Sequence, residues 1–467
     1  MSNSRLRRRL TLRRLAREDA GLGMTEVIVA LLVFAIMGTT SAYGILNALA
    51  LTQQSRSSET ASSIASSDLD QMRLLASVDA NSIFSVLTTS TPTTSTVGGT
   101  VYSLTRQASW QSTDGSTGSC GTGTGTLQYK NVTDTVSWKA TNNVNRSITM
   151  SSAIAPLSNI NSDTTGTIIV TVTGAAGQPV PGLTVSITPV SGGGGSTLDD
   201  APQNTDNAGC SFGLLVDPGT YKVTASLAGD IDFNQNAIAT TPGAAPVSVV
   251  AGQNTILNFT YDQSANFPLT YPAGAALPTN LPITFWHATP VPPPAPFAAA
   301  ASVTAFPWGD GYTIVAGAYV YTAATSPASC LDPNPASWTT TRADGAVAVP
   351  PTPVAAGPGT TAAITPVPMG TFTMSGISNK YVTAITTTPG TGDPGCNASQ
   401  TLTFPKTTSG SGTFALPFGT WKLYCGTTAG STATACSTTN LNSITGGTLN
   451  LVGAVPTSLT LDPRVGP

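Results

Sequence analysis

Glu26 is the residue whose chemistry most clearly requires a partner, because its carboxylate lies at the edge of a long apolar run. The run begins at Val27, and its apolar character continues, diluted, through Leu51. A carboxylate beside a membrane-spanning segment is costly unless a cation pairs with it. The position of Glu26 therefore predicts a partner of opposite charge.

Six cysteines form the second candidate set, and all lie beyond the apolar run: Cys120, Cys210, Cys330, Cys396, Cys425 and Cys436. An even number of cysteines outside the cytoplasm favours disulfides, and six cysteines allow 15 pairings. The most favourable local bridges join Cys425 to Cys436, or Cys396 to either of them. Closing such short loops stabilises a fold by on the order of 2–3 kcal/mol.

The other candidates are weaker. His287 is the only histidine and follows Phe285-Trp286, an apolar context that favours a packed or surface imidazole over a catalytic one. Carboxylates of the kind found at Asp199-Asp200 and Asp230/Asp232 bind Ca²⁺ in some proteins, but on turns they are usually solvated. A zinc site lacks the histidines or paired CxxC motifs it needs. We therefore expect no catalytic residue, no metal and no cofactor.

Composition excludes several classes of function. Only 9% of the 467 residues are charged, where a soluble domain averages about a quarter. Seven arginines and two acids precede Gly21, a net charge of +5, while the remaining residues carry 12 basic and 20 acidic side chains, a net charge of −8. An acidic body does not suit nucleic-acid binding. The single histidine, the absence of nucleotide-binding motifs and the two glutamates after Gly21 argue against an enzyme.

The apolar run is long enough to cross a membrane. Residues 27–51 would form a helix of roughly 38 Å, against a bilayer core of roughly 30 Å. The arginines before the run predict a cytoplasmic N-terminus. The boundary between the basic leader and the apolar stretch falls at Gly21, before the run, whereas an ordinary secretory signal is cleaved after it.

This pattern resembles the cleavage and methylation signal of type IV pilins and pseudopilins. The family has a short basic leader ending in Gly, then an apolar helix with Glu at the fifth mature position. Cleavage after Gly21 puts Glu26 at that position. The order Leu22-Gly23-Met24-Thr25 departs from the family's usual start, and cleavage after Gly23 would place Glu26 third, which fits less well.

The resemblance implies roles for three residues. Prepilin peptidase would cleave after Gly21, Leu22 would become the N-methylated terminus, and Glu26 would pair with the α-amine of a neighbouring subunit. Such a pair neutralises both groups in a medium of low dielectric constant and fixes the axial register of assembly. The simpler alternative is an uncleaved signal anchor with an acid near the membrane interface.

The expected fold class is α+β, a long transmembrane pilin helix followed by a multidomain, mainly antiparallel β-sandwich body. No Pro occurs before Pro92, and small or apolar residues recur at helical spacing beyond the membrane: Ala61, Ile64, Ala65, Leu69, Met72, Leu75 and Ala76. Short β-branched runs separated by turn residues predict strands after about residue 87. Trp110 and Trp138 are expected to be core residues.

The chain divides into six predicted segments: the leader 1–21, the long helix 22–78 with its span at 27–51, a pilin-type β head 79–160, a sandwich 163–262, a Pro/Ala-rich β or linker region 263–365, and a C-terminal sandwich 366–467. The 163–262 segment resembles the carboxypeptidase-regulatory-like, transthyretin-like module through its Pro-Val-Pro-Gly turn at 179–182 and its Pro-Gly-Thr-Tyr-Lys-Val hairpin at 218–223. Residues 416–423 echo 216–223, which predicts a second copy or a common strand–turn–strand motif.

The sequence predicts a large minor type IV pilin-like subunit at the tip or in low copy, displaying β domains for surface contact. Its expected partners are other pilin subunits, prepilin peptidase, the bacterial cytoplasmic membrane and a surface or glycan ligand. It would span the membrane once and become extracellular in the filament. The alternatives are a pseudopilin of a type II secretion system, a membrane-anchored adhesin and, least favoured, a membrane-anchored hydrolase.

Overall fold

The computed structural model describes residues 23–78, 82–89, 91–121, 125–140, 143–157, 160, 162–240, 245–289, 294–321, 326–445, 447–452 and 455–465. One long helix, α1 (Met24–Ala76), precedes a body of β-strands that are mainly antiparallel. The predicted α+β class is therefore confirmed. Contacts divide the chain into two units, one of Met1–Asp70, Pro92–Thr105 and Asp134–Met150, the other of Gln71–Thr91, Arg106–Thr133 and Ser151–Pro467.

The first sheet follows the helix. Its strands are β1 Thr93–Val97, β2 Thr100–Ser112, β3 Thr117–Gly118, β4 Leu127–Lys139 and β5 Asn145–Ile154, in the order β1-β2-β4-β5 with β3 on β2. Buried residues alternate along β2 and β4, because successive side chains of a strand point to opposite faces. Trp110 and Trp138 are both buried, as predicted.

Within the first unit, the second half of α1 packs against the sheet. Ala61 and Ala65 are fully buried against Tyr102, Val136 and Trp138. These alanines have no side chain beyond Cβ, so the helix can approach the aromatic rings closely. The helix is therefore amphipathic only beyond its apolar half, as its sequence pattern predicts.

The next eight strands form two sheets. They are β6 Gly166–Thr173, β7 Thr184–Pro189, β8 Cys210–Val216, β9 Gly219–Ser226, β10 Asp230–Asp232, β11 Ala239–Thr240, β12 Val247–Val249 and β13 Asn254–Gln263. One sheet has the order β10-β13-β6-β8, with β13 and β6 parallel; the other has β11-β9-β12 with β7 on β9. A single hydrophobic cluster takes side chains from both sheets, so they face each other as a sandwich.

The remaining strands are β14 Ala265–Thr270, β15 Pro282–Trp286, β16 Phe297–Ala298, β17 Ser302–Ala305, β18 Thr313–Ala316, β19 Thr365–Pro366, β20 Gly370–Ser375, β21 Tyr381–Thr386, β22 Thr401–Thr403, β23 Ser411–Leu416, β24 Gly419–Gly426, β25 Leu441–Thr445, β26 Gly447–Val452 and β27 Val455–Leu461. Their sheets have the orders β17-β14-β19, β16-β15-β18, β23-β20-β25 and β22-β21-β24-β27-β26. One hydrophobic cluster contains residues from Ala265 to Leu461. It therefore includes residues of both predicted segments, 263–365 and 366–467.

The two similar sequences, 216–223 and 416–423, adopt the same local structure, but neither is the predicted hairpin, because the two strands that flank each turn do not pair with each other. In each, two residues link a strand of one sheet to a strand of another: β8 to β9, and β23 to β24. The buried aromatic residue that follows donates a hydrogen bond to the carbonyl four residues earlier. The Tyr221 hydroxyl bonds to Asp217 O at 2.8 Å, and Trp421 Nε1 bonds to Pro417 O at 3.0 Å.

Candidate functional site

The N-terminal half of α1 exposes its apolar side chains. The most apolar 18-residue stretch has a mean hydropathy of 2.0 and is entirely unburied. Large side chains such as Leu31 and Phe34 project freely, with Phe34 76% exposed. The helix is long and apolar enough to cross a membrane, which is weak support for single-pass anchoring.

Glu26 lies in the first turn of this helix. Its carboxylate accepts a hydrogen bond from the backbone N–H of Gly23, with a distance of 3.3 Å to Oε2. Gly23 is the N-cap residue, since its carbonyl accepts from Glu26 N at 2.8 Å. Glu three residues after the N-cap is the acidic half of a capping box, and it also interacts favourably with the helix dipole. The exposed carboxylate thus caps its own helix.

Two of the three residues that carry the processing hypothesis, Gly21 and Leu22, lie outside the described residues. Cleavage after Gly21 and methylation of Leu22 therefore stay predictions. The assembly role of Glu26 also stays a prediction.

The cysteines form three disulfides: Cys120–Cys210, Cys330–Cys396 and Cys425–Cys436. The local bridge Cys425–Cys436 is one of those favoured from sequence. Cys396 pairs instead with Cys330, 66 residues away, because the two residues face each other as an antiparallel β-bridge. Sequence spacing gives no sign of that contact.

His287 is held in a packed arrangement. Its ring stacks on Trp308, with centroids 4.4 Å apart and planes 1° from parallel. Nε2 lies 2.8 Å from Asp310 Oδ1, and Nδ1 lies 2.7 Å from Thr289 O. The hydrogen bond from His287 lowers the pKa of Asp310. Because both ring nitrogens have these partners, this geometry suits anchoring of the 306–312 turn.

The two aspartate pairs occupy different environments. Asp199 and Asp200 are exposed and line a cleft of about 300 Å³ whose apolar side includes Phe84 and Phe212. Asp230 and Asp232 are buried in β10. Burial, together with the neighbouring Asp262 carboxylate, raises the pKa of Asp230 to about 6. Burial also raises the pKa of Asp232, although Asn236 donates two hydrogen bonds to it.

Replacing Asp230 with Asn should change stability in a pH-dependent way. A raised pKa in the folded state means that stability falls as pH rises from about 4 to about 6, where the unfolded chain ionises first. We expect Asp230→Asn to be more stabilising at pH 7.5 than at pH 4 by about 1 kcal/mol, allowing for solvent screening. Urea titration of the full chain at each pH, with proteolytic protection of residues 163–262 as the readout, measures this change in the free energy of unfolding. Asp199→Asn is the control, and an equal effect of Asp230→Asn at both pH values would contradict the prediction.

Among the buried ionisable groups that had no signal in the sequence are Lys130 and Asp332. Lys130 lies in β4, 2% exposed, with Nζ donating to Val86 O at 2.8 Å and lying 5.2 Å from the centre of the Trp110 ring. Burial lowers the pKa of Lys130 to about 8.

Asp332 has a carboxylate oxygen within 4.8 Å of the sulfurs of both Cys330 and Cys396. Because these sulfurs form a disulfide, they are not thiolate ligands for a metal.

No protein-family model matches the chain, and no curated protein matches it. Among solved structures it is similar to the Bacillus anthracis TIE protein, at 11% identity and a TM-score of 0.19, over 80% of this chain and 70% of that one. It is also similar to BcpA, the major pilin subunit of Bacillus cereus, at 16% identity and a TM-score of 0.17, over 31% and 41% of the two chains. A third similar structure is the streptococcal ancillary pilin, at 10% identity and a TM-score of 0.17, over 76% and 87%. Scores this low carry no argument about fold or function.

Proposed function

We propose that the chain is a large minor type IV pilin-like subunit, anchored and assembled through α1. The observation that carries the proposal is the division of one 53-residue helix into two halves. The first half is apolar and uncovered, whereas the second buries Ala61 and Ala65 against the chain's own sheet. A helix of this kind can hold a folded body at a membrane surface. When the subunit leaves the membrane, the uncovered apolar half must pack against other apolar helices.

The residues at the start of the helix support a filament over a plain anchor. The basic leader ends at Gly21, and Glu26 follows at the spacing that a cleaved prepilin requires. The capping bond from Gly23 holds the Glu26 carboxylate at the N-terminal end of α1. There it would meet the new α-amine of an adjacent subunit, and the two charges would compensate each other in a medium of low dielectric constant.

The size of the body favours a low-copy position. More than 370 residues follow the helix, and they form at least seven sheets in the described part of the chain. A body of this size at every position of a helical lattice would be crowded, so we place it at the tip or at scattered positions. There its β domains would be available for contact with a surface or glycan.

The decisive experiment is intact-mass analysis of membrane-extracted protein made with and without a prepilin peptidase. We expect loss of residues 1–21 and one added methyl group at Leu22 only when the peptidase is present. Gly21→Asp should block processing, whereas Gly23→Ala, a matched change two residues away, should not. A retained leader, or cleavage after Gly23, would count against the proposal.

The two competing functions need separate observations. A type II secretion pseudopilin would be encoded beside secretion genes, whereas a pilus subunit would be encoded beside pilus genes. A membrane-anchored adhesin would show saturable binding of the detergent-solubilised full chain to a surface or glycan array and would keep residues 1–21 when the peptidase is present.

A further inference from the structure

The Cys330–Cys396 bridge differs from the other two disulfides in its access to solvent. Cys396 is partly exposed, whereas the other five cysteines are buried at 6% exposure or less. Thiol–disulfide exchange requires a thiolate to reach one sulfur in line with the bond, so accessibility decides which bridge reacts. Cys396 is the cysteine with the largest exposed fraction, so we expect an external thiol to attack this side of the bridge.

The sulfur on the buried side of this bridge has a carboxyl group beside it. Oδ1 of Asp332 lies 3.4 Å from Sγ of Cys330, and Asp332 is 3% exposed. A disulfide sulfur carries no hydrogen, so an ionised carboxylate would face its lone pairs without a shared proton. Burial, followed by the nearby Asp393 carboxylate, raises the pKa of Asp332 well above its usual range. A raised pKa favours the protonated form of this carboxyl group, which lies beside the sulfur.

A third group contacts both sulfurs. The amide of Gln400 donates from Nε2 to Cys330 Sγ at 2.8 Å and lies 3.4 Å from Cys396 Sγ. Its position is fixed by the backbone of Ala318, whose carbonyl accepts from the same nitrogen at 3.3 Å. A hydrogen-bond donor aimed at a sulfur stabilises negative charge that develops on it.

We propose that Cys330–Cys396 is a thiol–disulfide exchange site for an extracytoplasmic dithiol, with Asp332 delivering the proton to the departing sulfur. One thiolate of the dithiol attacks Cys396 Sγ, forming a mixed disulfide and breaking the Cys330–Cys396 bond. Cys330 leaves with the electron pair and takes the Asp332 proton, becoming a thiol. The second thiolate then attacks the mixed disulfide, which releases Cys396 as a thiolate and the dithiol as its own disulfide. The protein bridge gains two electrons and the dithiol loses two.

The first test compares the three bridges within one molecule. The full chain in detergent is treated with graded dithiothreitol, quenched, alkylated and mapped by peptide mass. We expect Cys330 and Cys396 to be labelled at least about tenfold faster than the other four cysteines. If Cys120–Cys210 or Cys425–Cys436 is reduced as fast, the site assignment is overturned.

The second test concerns the proton. Asp332→Asn keeps the shape of the side chain but removes the acid, and it should slow reduction of Cys330–Cys396 by about tenfold or more. Asp344→Asn, which removes an exposed carboxylate on a neighbouring loop, should leave that rate unchanged. Misfolding would accelerate all three reductions, so the direction of change separates loss of the acid from loss of structure.

A third variant keeps the exchange site falsifiable if Asp332→Asn misfolds. Gln400→Leu removes the donor to the sulfurs and should slow reduction of the same bridge several-fold while Asp332 remains. An unchanged or higher rate in a folded Asp332→Asn or Gln400→Leu variant would overturn the assigned role of that side chain.

Discussion

Glu26→Ala should leave removal of residues 1–21 intact and lower incorporation into filaments by at least about tenfold. Under the proposed function, cleavage would depend on the residues around Gly21, whereas assembly would depend on the carboxylate that meets the next subunit's α-amine. Removing one partner of a buried ion pair costs about 3–5 kcal/mol, because the other charge is left uncompensated. Immunoblots give the amount of the protein in sheared filaments and the amount of processed protein in the membrane. The first amount divided by the second measures incorporation.

The matched control is Glu59→Ala, because Glu59 is the other glutamate of α1 and is also exposed. It lies beyond the predicted span and should not affect incorporation. Glu26→Gln separates charge from capping: its amide oxygen still accepts the bond from Gly23, but it cannot neutralise an ammonium group. Normal filament incorporation of Glu26→Ala would remove the ion-pair role.

Trp421→Ala should destabilise the C-terminal part of the body by about 3–5 kcal/mol, the largest effect expected of a single core substitution. Trp421 is 1% exposed in β24, within the hydrophobic cluster that spans Ala265 to Leu461. The substitution leaves a cavity that the surrounding strands cannot fill. It also orphans the Pro417 carbonyl that accepts from Nε1. Urea titration of the full chain, read by proteolytic protection of residues 366–462, gives the loss.

Trp421→Phe separates the two contributions, since it keeps an aromatic ring but removes the donor. Tyr221→Phe makes the corresponding change at the β8–β9 link, where the hydroxyl donates to Asp217 O and accepts from Ser196 N. We expect a loss of about 1 kcal/mol for each of these two hydrogen bonds; Trp421→Phe should lose one such bond and, in addition, the packing of the larger ring. A loss below about 1 kcal/mol for Trp421→Ala would show that this residue is not the anchor of its sheet.

The helix and many strands follow from local sequence. A continuous apolar run with no proline before Pro92 gives α1, because helix formation depends on neighbours three and four residues apart. Alternation along β2 and β4 gives their buried faces for the same local reason. The turns before Gly219 and Gly419 are equally local, and they form where the sequence repeats, although the strands they join belong to different sheets. The relation of residues 163–262 to a known module stays a prediction.

Other features depend on residues brought together from distant parts of the chain. Six cysteines allow 15 pairings, and only the fold places Cys330 opposite Cys396 and Cys120 beside Cys210. Asp332 is two residues from Cys330 in the sequence, but its burial comes from distant residues such as Gly419 and Asp393, so the sequence does not distinguish it from the chain's solvated aspartates.

The sequence alone thus determined the long apolar helix, the glutamate in its first turn and the β-rich character of the body, because each depends on residues close together along the chain. Tertiary structure alone decided the disulfide partners, the core shared across residue 365 and the buried carboxyl at the exchange site. Burial and distance between remote residues depend on how the sheets pack, and no spacing in the sequence encodes that directly.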